Sequence, residues 1–122
     1  MPRYLARAAY TAASLAALVS NPQDRMAGLR ALVEQLGGRL DSADYCLGDD
    51  DIVVTFTVPD DATAAALALR VAAAGHLRHY KTMKLLAPDE FLAALTKAQG
   101  ATYQAPAGRA AGMLPPWQLG QD

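Results

Sequence analysis

Cysteine is nearly missing from this chain. Cys46 stands alone among 122 residues, which excludes an intramolecular disulfide and any metal site built from several thiolates. An excess of charge of either sign is missing too. Eleven Lys and Arg face twelve Asp and Glu, for a net charge of −1, so no basic field exists to hold nucleic acid or an anionic lipid surface. No run of about 20 apolar residues occurs, and no membrane partner is expected. Met1-Pro2-Arg3-Tyr4-Leu5 lacks the apolar stretch of a signal peptide, so the expected location is the cytoplasm. There is no glycine-rich loop of phosphate-cradling spacing and no legible Ser-His-Asp arrangement. No cofactor is therefore expected.

What is present is a chain long enough for one core, with an apolar fraction of 52% supplied largely by alanine. Its most informative stretch is Tyr45-Cys46-Leu47-Gly48-Asp49-Asp50-Asp51 followed by Ile52-Val53-Val54-Thr55-Phe56-Thr57-Val58. The second half is β-branched or aromatic throughout, as a largely buried strand requires. Gly48 and the aspartates supply a tight acidic turn.

Around this hairpin the other elements fall in order. Residues 3–10 form a first strand, and Thr11 caps a helix over 12–19 with Leu15, Leu18 and Val19 at helical spacing. Asn21 and Pro22 open a second helical segment, whose stripe is Met26, Leu29, Val33 and Leu36. Gly37-Gly38 stops it. Residues 39–47 and 52–58 are strands two and three, and Pro59 ends the latter. Asp60 or Asp61 caps an alanine-rich helix over 62–74, closed by Gly75. Residues 76–85 form strand four. Pro88-Asp89-Glu90 opens a last helix, with Phe91, Leu92 and Leu95 as its buried stripe. From Gln99 on, glycine and proline punctuate a tail whose large apolar groups include Tyr103, Met113, Leu114, Trp117 and Leu119. Trp117 is expected to anchor the tail on its own domain or on a neighbouring subunit. The domain thus covers 1–98 and the tail 99–122.

The order β-α-β-β-α-β with a C-terminal helix predicts an α+β, ferredoxin-like fold: a four-stranded antiparallel sheet with helices on one face. In strand three both alternate sets, Ile52/Val54/Phe56/Val58 and Val53/Thr55/Thr57, are apolar or β-branched. A one-sided sheet should show a polar outer set. A second copy of the chain covering the open face is the simplest account, which makes the protein its own expected partner.

The residues resemble the GYD domain family. The resemblance rests on Tyr4-Leu5 with Tyr10-Thr11, Leu36-Gly37-Gly38, Gly48 and Asp51 followed by Ile52-Val53-Val54, Pro59-Asp60, Ala74-Gly75, and Lys81-Thr82 leading to Leu85-Leu86 and Pro88-Asp89-Glu90-Phe91. It covers about residues 3–98 and implies a ferredoxin-like domain of the dimeric α+β barrel type, with no settled activity. Asp50 stands where the family's Gly-x-Tyr-Asp signature has tyrosine.

Candidate site residues follow from chemistry. His76, Arg78, His79, Tyr80 and Lys81 are the densest reactive group. On a regular strand, His76, Arg78 and Tyr80 share one face. Either histidine is a candidate general base near neutral pH, with Tyr80 beside it. The plainer reading is a charged edge or interface strand. Tyr4, Tyr10, Tyr45 and Arg78 are candidate ligand contacts, and the tyrosines serve equally as core or interface residues. Asp49, Asp50 and Asp51 offer carboxylates to a cation, but consecutive turn residues point apart and turn chemistry alone accounts for them. Cys46 has no adjacent cation and reads as a small buried hydrophobe. Three functions remain open. One is a binding or regulatory module for a small apolar or aromatic ligand. Another is a cofactor-independent isomerase or monooxygenase acting on a small cyclic compound. The third is a structural component of an assembly.

Overall fold

A computed structural model describes residues 1–106, which divide into two units, the second beginning at Ala87. The tail positions Met113, Leu114, Trp117 and Leu119 lie outside the described residues. The first unit holds β1 (Arg3–Tyr10), α1 (Ala12–Ser20), α2 (Met26–Gln35), β2 (Arg39–Tyr45), β3 (Ile52–Thr57), α3 (Asp61–Ala73) and β4 (Leu77–Leu85). The four strands form one antiparallel sheet in the order β2-β3-β1-β4. That is the split-βαβ arrangement of a ferredoxin-like α+β fold. Among the described residues no helix is long and apolar enough to cross a membrane.

The core lies between one sheet face and the helices α2 and α3. Tyr4, Ala6, Val54, Phe56 and Leu40 from the strands meet Met26, Val33, Ala64 and Leu67 from the helices in one buried cluster. These residues alternate along β1 and β3, so every second side chain is committed to the helices. Tyr4 stacks on Phe56 with ring centroids 5.4 Å apart, and its hydroxyl donates to Asp61 at the start of α3. Burial, with help from Asp61, pushes the Tyr4 phenol up to about 12. Gly38 lets β2 begin hard against the end of β3, because a Cβ there would collide with the Thr57 carbonyl and with Val58.

Helix starts follow side-chain caps where the sequence supplies them. Thr11 Oγ1 accepts from the Ser14 N–H at 3.1 Å, and Asp60 Oδ1 accepts from the Thr63 N–H at 2.9 Å. One expected start is corrected. Asn21 and Pro22 do not open α2: Asn21 closes α1 by donating to Ala17 O at 2.9 Å, and α2 begins at Met26. There Asp24 Oδ1 accepts from the Met26 N–H at 2.9 Å. The local carboxylate outcompetes the more distant proline as a start signal.

Two expected stripes are not buried. In α1 no residue is buried, and Val19 is 80% exposed. The second unit begins with α4 (Pro88–Gln99), where the Ala87 N–H donates to Glu90 Oε1 at 3.0 Å. Phe91, Leu92 and Leu95 are each more than half exposed. Helical spacing identifies an apolar side but does not provide a surface to bury it.

Candidate functional site

A cavity of about 670 Å³ lies between the sheet, α2 and α3, a size typical of small-molecule sites. Its floor is Ala6 and Ala8 of β1 with Ile52 and Val54 of β3. The two alanines occupy positions on the central strand between Tyr4 and Tyr10. Small side chains there leave space where larger ones would fill the core. Leu29 and Leu32 of α2 and Val71 of α3 line the walls.

Three chemically able side chains join this apolar frame. Tyr10 is 5% exposed, and its ring centroid lies 6.1 Å from that of His76. His76 precedes β4, held by its carbonyl, which accepts from the Thr11 N–H at 3.1 Å. Burial lowers the His76 pKa, and the Arg25 guanidinium adds to the effect. The imidazole is thus favoured in its neutral form, with one ring nitrogen free to accept a proton. Burial raises the Tyr10 and Tyr80 phenols and keeps them protonated. The Tyr80 hydroxyl is buried; the Thr82 side chain is close enough to offset part of the rise, but no hydrogen bond of ordinary geometry to Tyr80 forms among the described residues. The Tyr80 side chain lines the cavity, while its hydroxyl is itself closed off from solvent.

A second cluster occupies the other sheet face. Asp50 Oδ1 lies 2.6 Å from His79 Nε2, and Asp50 Oδ2 lies 3.7 Å from Arg7 Nη1. The hydrogen bond from His79, ahead of the neighbouring cations Arg7 and Lys81, holds the Asp50 carboxyl below the usual range. Beside it, Ser42 and Thr55 share a hydroxyl contact at 2.5 Å, and Thr57 Oγ1 donates to Asp41 Oδ2 at 2.6 Å. Thr55 and Thr57 of the outer set of β3 are therefore tied into polar partners of their own chain, while Val53 is not.

The structure separates residues that regular strand spacing would group. A β-bulge between Ala9 and Tyr10 pairs Ala9 with His79 and Tyr10 with Leu77, skipping Arg78. Arg78 is exposed, away from the cavity that His76 and Tyr80 line, and its Nη2 donates to the Asp49 carbonyl at 3.1 Å. That corrects the grouping of His76, Arg78 and Tyr80 on one face, since a bulge shifts the alternation by one residue. His79 lies with Asp50, apart from His76. Tyr4 is spent on Phe56 and Asp61. Tyr45 is 53% exposed, its hydroxyl accepting from the Arg25 N–H at 3.2 Å.

The acidic turn divides its carboxylates. Asp51 Oδ2 accepts from the Tyr10 N–H at 2.9 Å, fastening the hairpin to β1, while Asp50 turns to His79. Among the described residues no three His, Cys, Asp or Glu side chains gather in a metal-binding group. Gly48 has φ +134°, the conformation that the turn demands of a glycine. The Cys46 thiol donates to the Asp50 carbonyl at 3.2 Å. Sequence reasoning missed Arg25, Arg70 and the paired alanines of the cavity. The alternation of alanine with tyrosine along β1 was the available signal.

No curated protein sequence matches the chain. Among solved structures, an uncharacterized NIPSNAP domain protein from Burkholderia xenovorans is similar at 19% identity, over 71% of this chain and 94% of that one, with a TM-score of 0.44. The family model described as the GYD domain matches residues 4–95, a span that includes all the strands, the acidic hairpin and the cavity, and the chain belongs to the GYD domain family.

Proposed function

We propose that the protein is a binding or regulatory module whose ligand is a small apolar or aromatic molecule held between the sheet and α2 and α3. The observation that carries this reading is an apolar-floored cavity of about 670 Å³ with Tyr10, His76 and Tyr80 among its lining side chains. Such a cavity gains affinity from apolar contact and orientation from a few polar groups. The test is a fragment screen by amide-shift mapping on the full chain. Shifts clustered at Ala6, Ala8, Tyr10, His76 and Tyr80, and abolished by Ala74→Trp at the exposed rim, are the expected result. Scattered shifts that survive Ala74→Trp would remove the cavity from consideration.

A second copy of the chain over the open sheet face completes this proposal, giving a homo-oligomer of the dimeric α+β barrel type. Its support is the half-buried pair Leu5 and Val53 with the exposed Met83 on strands whose other face is covered by helices. Light scattering coupled to size exclusion should return at least twice the 12.9 kDa chain mass. A monomer at micromolar concentration would end the assembly claim.

A catalytic reading is favoured by one observation, the neutral His76 imidazole beside Tyr10 in the cavity. In a cofactor-independent isomerase acting on a small cyclic β,γ-unsaturated ketone, His76 would take a proton from the carbon between the carbonyl and the double bond, giving a dienolate. The imidazolium would return that proton to the γ-carbon as the double bond moves into conjugation with the carbonyl. His76→Ala should then abolish turnover while binding persists. His79 has no part in this scheme.

A further inference from the structure

We propose that the cavity selects an anion: a small aromatic or alicyclic carboxylate, with its ring against Ala6, Ala8 and Val54 and its charge at Arg25 and Arg70. The inference rests on the cavity reading and narrows its ligand class. Arg25 immediately precedes α2 and Arg70 lies in the last turn of α3, so two exposed arginines from different elements line the cavity. Among the described residues neither forms an ion pair with a carboxylate. The other charged lining residue is Asp24, whose Oδ1 is engaged by the Met26 N–H. The lining charge is therefore one positive in excess, in a chain whose net charge is −1. Arginine presents a planar donor fork that matches a carboxylate. The effect of Arg25 on His76 and Tyr10 indicates that its charge is felt inside the cavity. A neutral apolar ligand would use the floor and leave both guanidiniums idle. A cationic one would meet them unfavourably.

The test is calorimetric titration of the full chain with 1-naphthoate, 1-naphthylmethanol and 1-naphthylmethylamine, which share one ring system and differ in charge. Naphthoate should bind about tenfold tighter than the alcohol, the size of one charge-assisted hydrogen bond, and the amine should bind weakest. Arg25→Gln and Arg70→Gln should each reduce naphthoate affinity by about tenfold, leave the alcohol unchanged, and be partly rescued by Arg→Lys. Circular dichroism confirms the fold of each variant. Equal affinity for acid and alcohol overturns the anion inference and leaves the cavity reading standing. Failure of all three probes overturns both. Loss of naphthoate and alcohol affinity together in the Arg→Gln variants likewise overturns the charge argument.

Discussion

The two faces of the sheet use similar residue types for opposite ends. Each has a histidine with an arginine nearby: His76 with Arg25 on the helix side, His79 with Arg7 on the other. On the open face Asp50 lies against both His79 and Arg7, so each cation or imidazole there has an acidic neighbour. On the helix side the polar groups are left incompletely partnered inside an apolar frame. Polar residues satisfied by one another build a surface, whereas polar residues left unsatisfied around a cavity invite a ligand.

The contrast predicts a gradient of effects. The largest is in the core shared by the helix side: Phe56 is completely buried, and Phe56→Ala should cost about 3–5 kcal/mol in urea unfolding. Thr55→Ala, its neighbour on the open face, should cost under about 1 kcal/mol. Equal costs would erase the distinction between the faces. Next is Gly38→Ala, expected to cost about 1–3 kcal/mol because the added Cβ meets a backbone carbonyl. An unchanged urea midpoint would contradict that close approach.

Smaller and opposite in sign is Tyr80→Phe. Deleting a buried hydroxyl that makes no hydrogen bond of ordinary geometry should leave stability unchanged or raise it by up to about 1 kcal/mol. A clear destabilisation would show that the hydroxyl is bonded within the chain.

The smallest effects are electrostatic. The folded-state pKa of His76 is depressed, so its contribution is present above the unfolded value near 6.5 and is lost as pH falls below it. Its ring proton should titrate below the ordinary histidine range by NMR. The folded-state pKa of Asp50 is also depressed, so its contribution is present above the unfolded carboxyl value and fades on acidification. Asp50→Asn should flatten the acid limb of the stability curve slightly, since ion pairs near the surface contribute little. An unaltered limb would mean that the His79 contact contributes nothing.

Much of the frame was legible in residue order. The unbroken β-branched run of β3, the acidic turn at Gly48 and the Asp60 cap each depend on neighbours a few positions away. Those local preferences agree with the fold. The start of α2 was misplaced for a local reason too: two start signals, Asn21 and Asp24, stood three residues apart, and the carboxylate of Asp24 prevailed. The apolar stripe of α4 was correctly found as a side of a helix, but its burial depended on having a surface to pack against.

The candidate site was less legible. His76, Tyr10 and Tyr80 were each singled out, yet Arg78 and His79 were grouped near them. The bulge that skips Arg78 arises in the pairing of β1 with β4, a contact between segments about seventy residues apart. Nothing in the local spacing of 76–81 announces it.

By itself, then, the sequence determined the strands, the helices, their antiparallel order and the family, because periodicity, caps and turns act over short distances. Only the tertiary structure decided which histidine belongs to a cavity and which to a surface pair, and that two alanines open a cavity lined by Tyr10, His76 and Tyr80. Those outcomes depend on register and on the packing of α2 and α3 over the sheet, where side chains distant along the chain first meet.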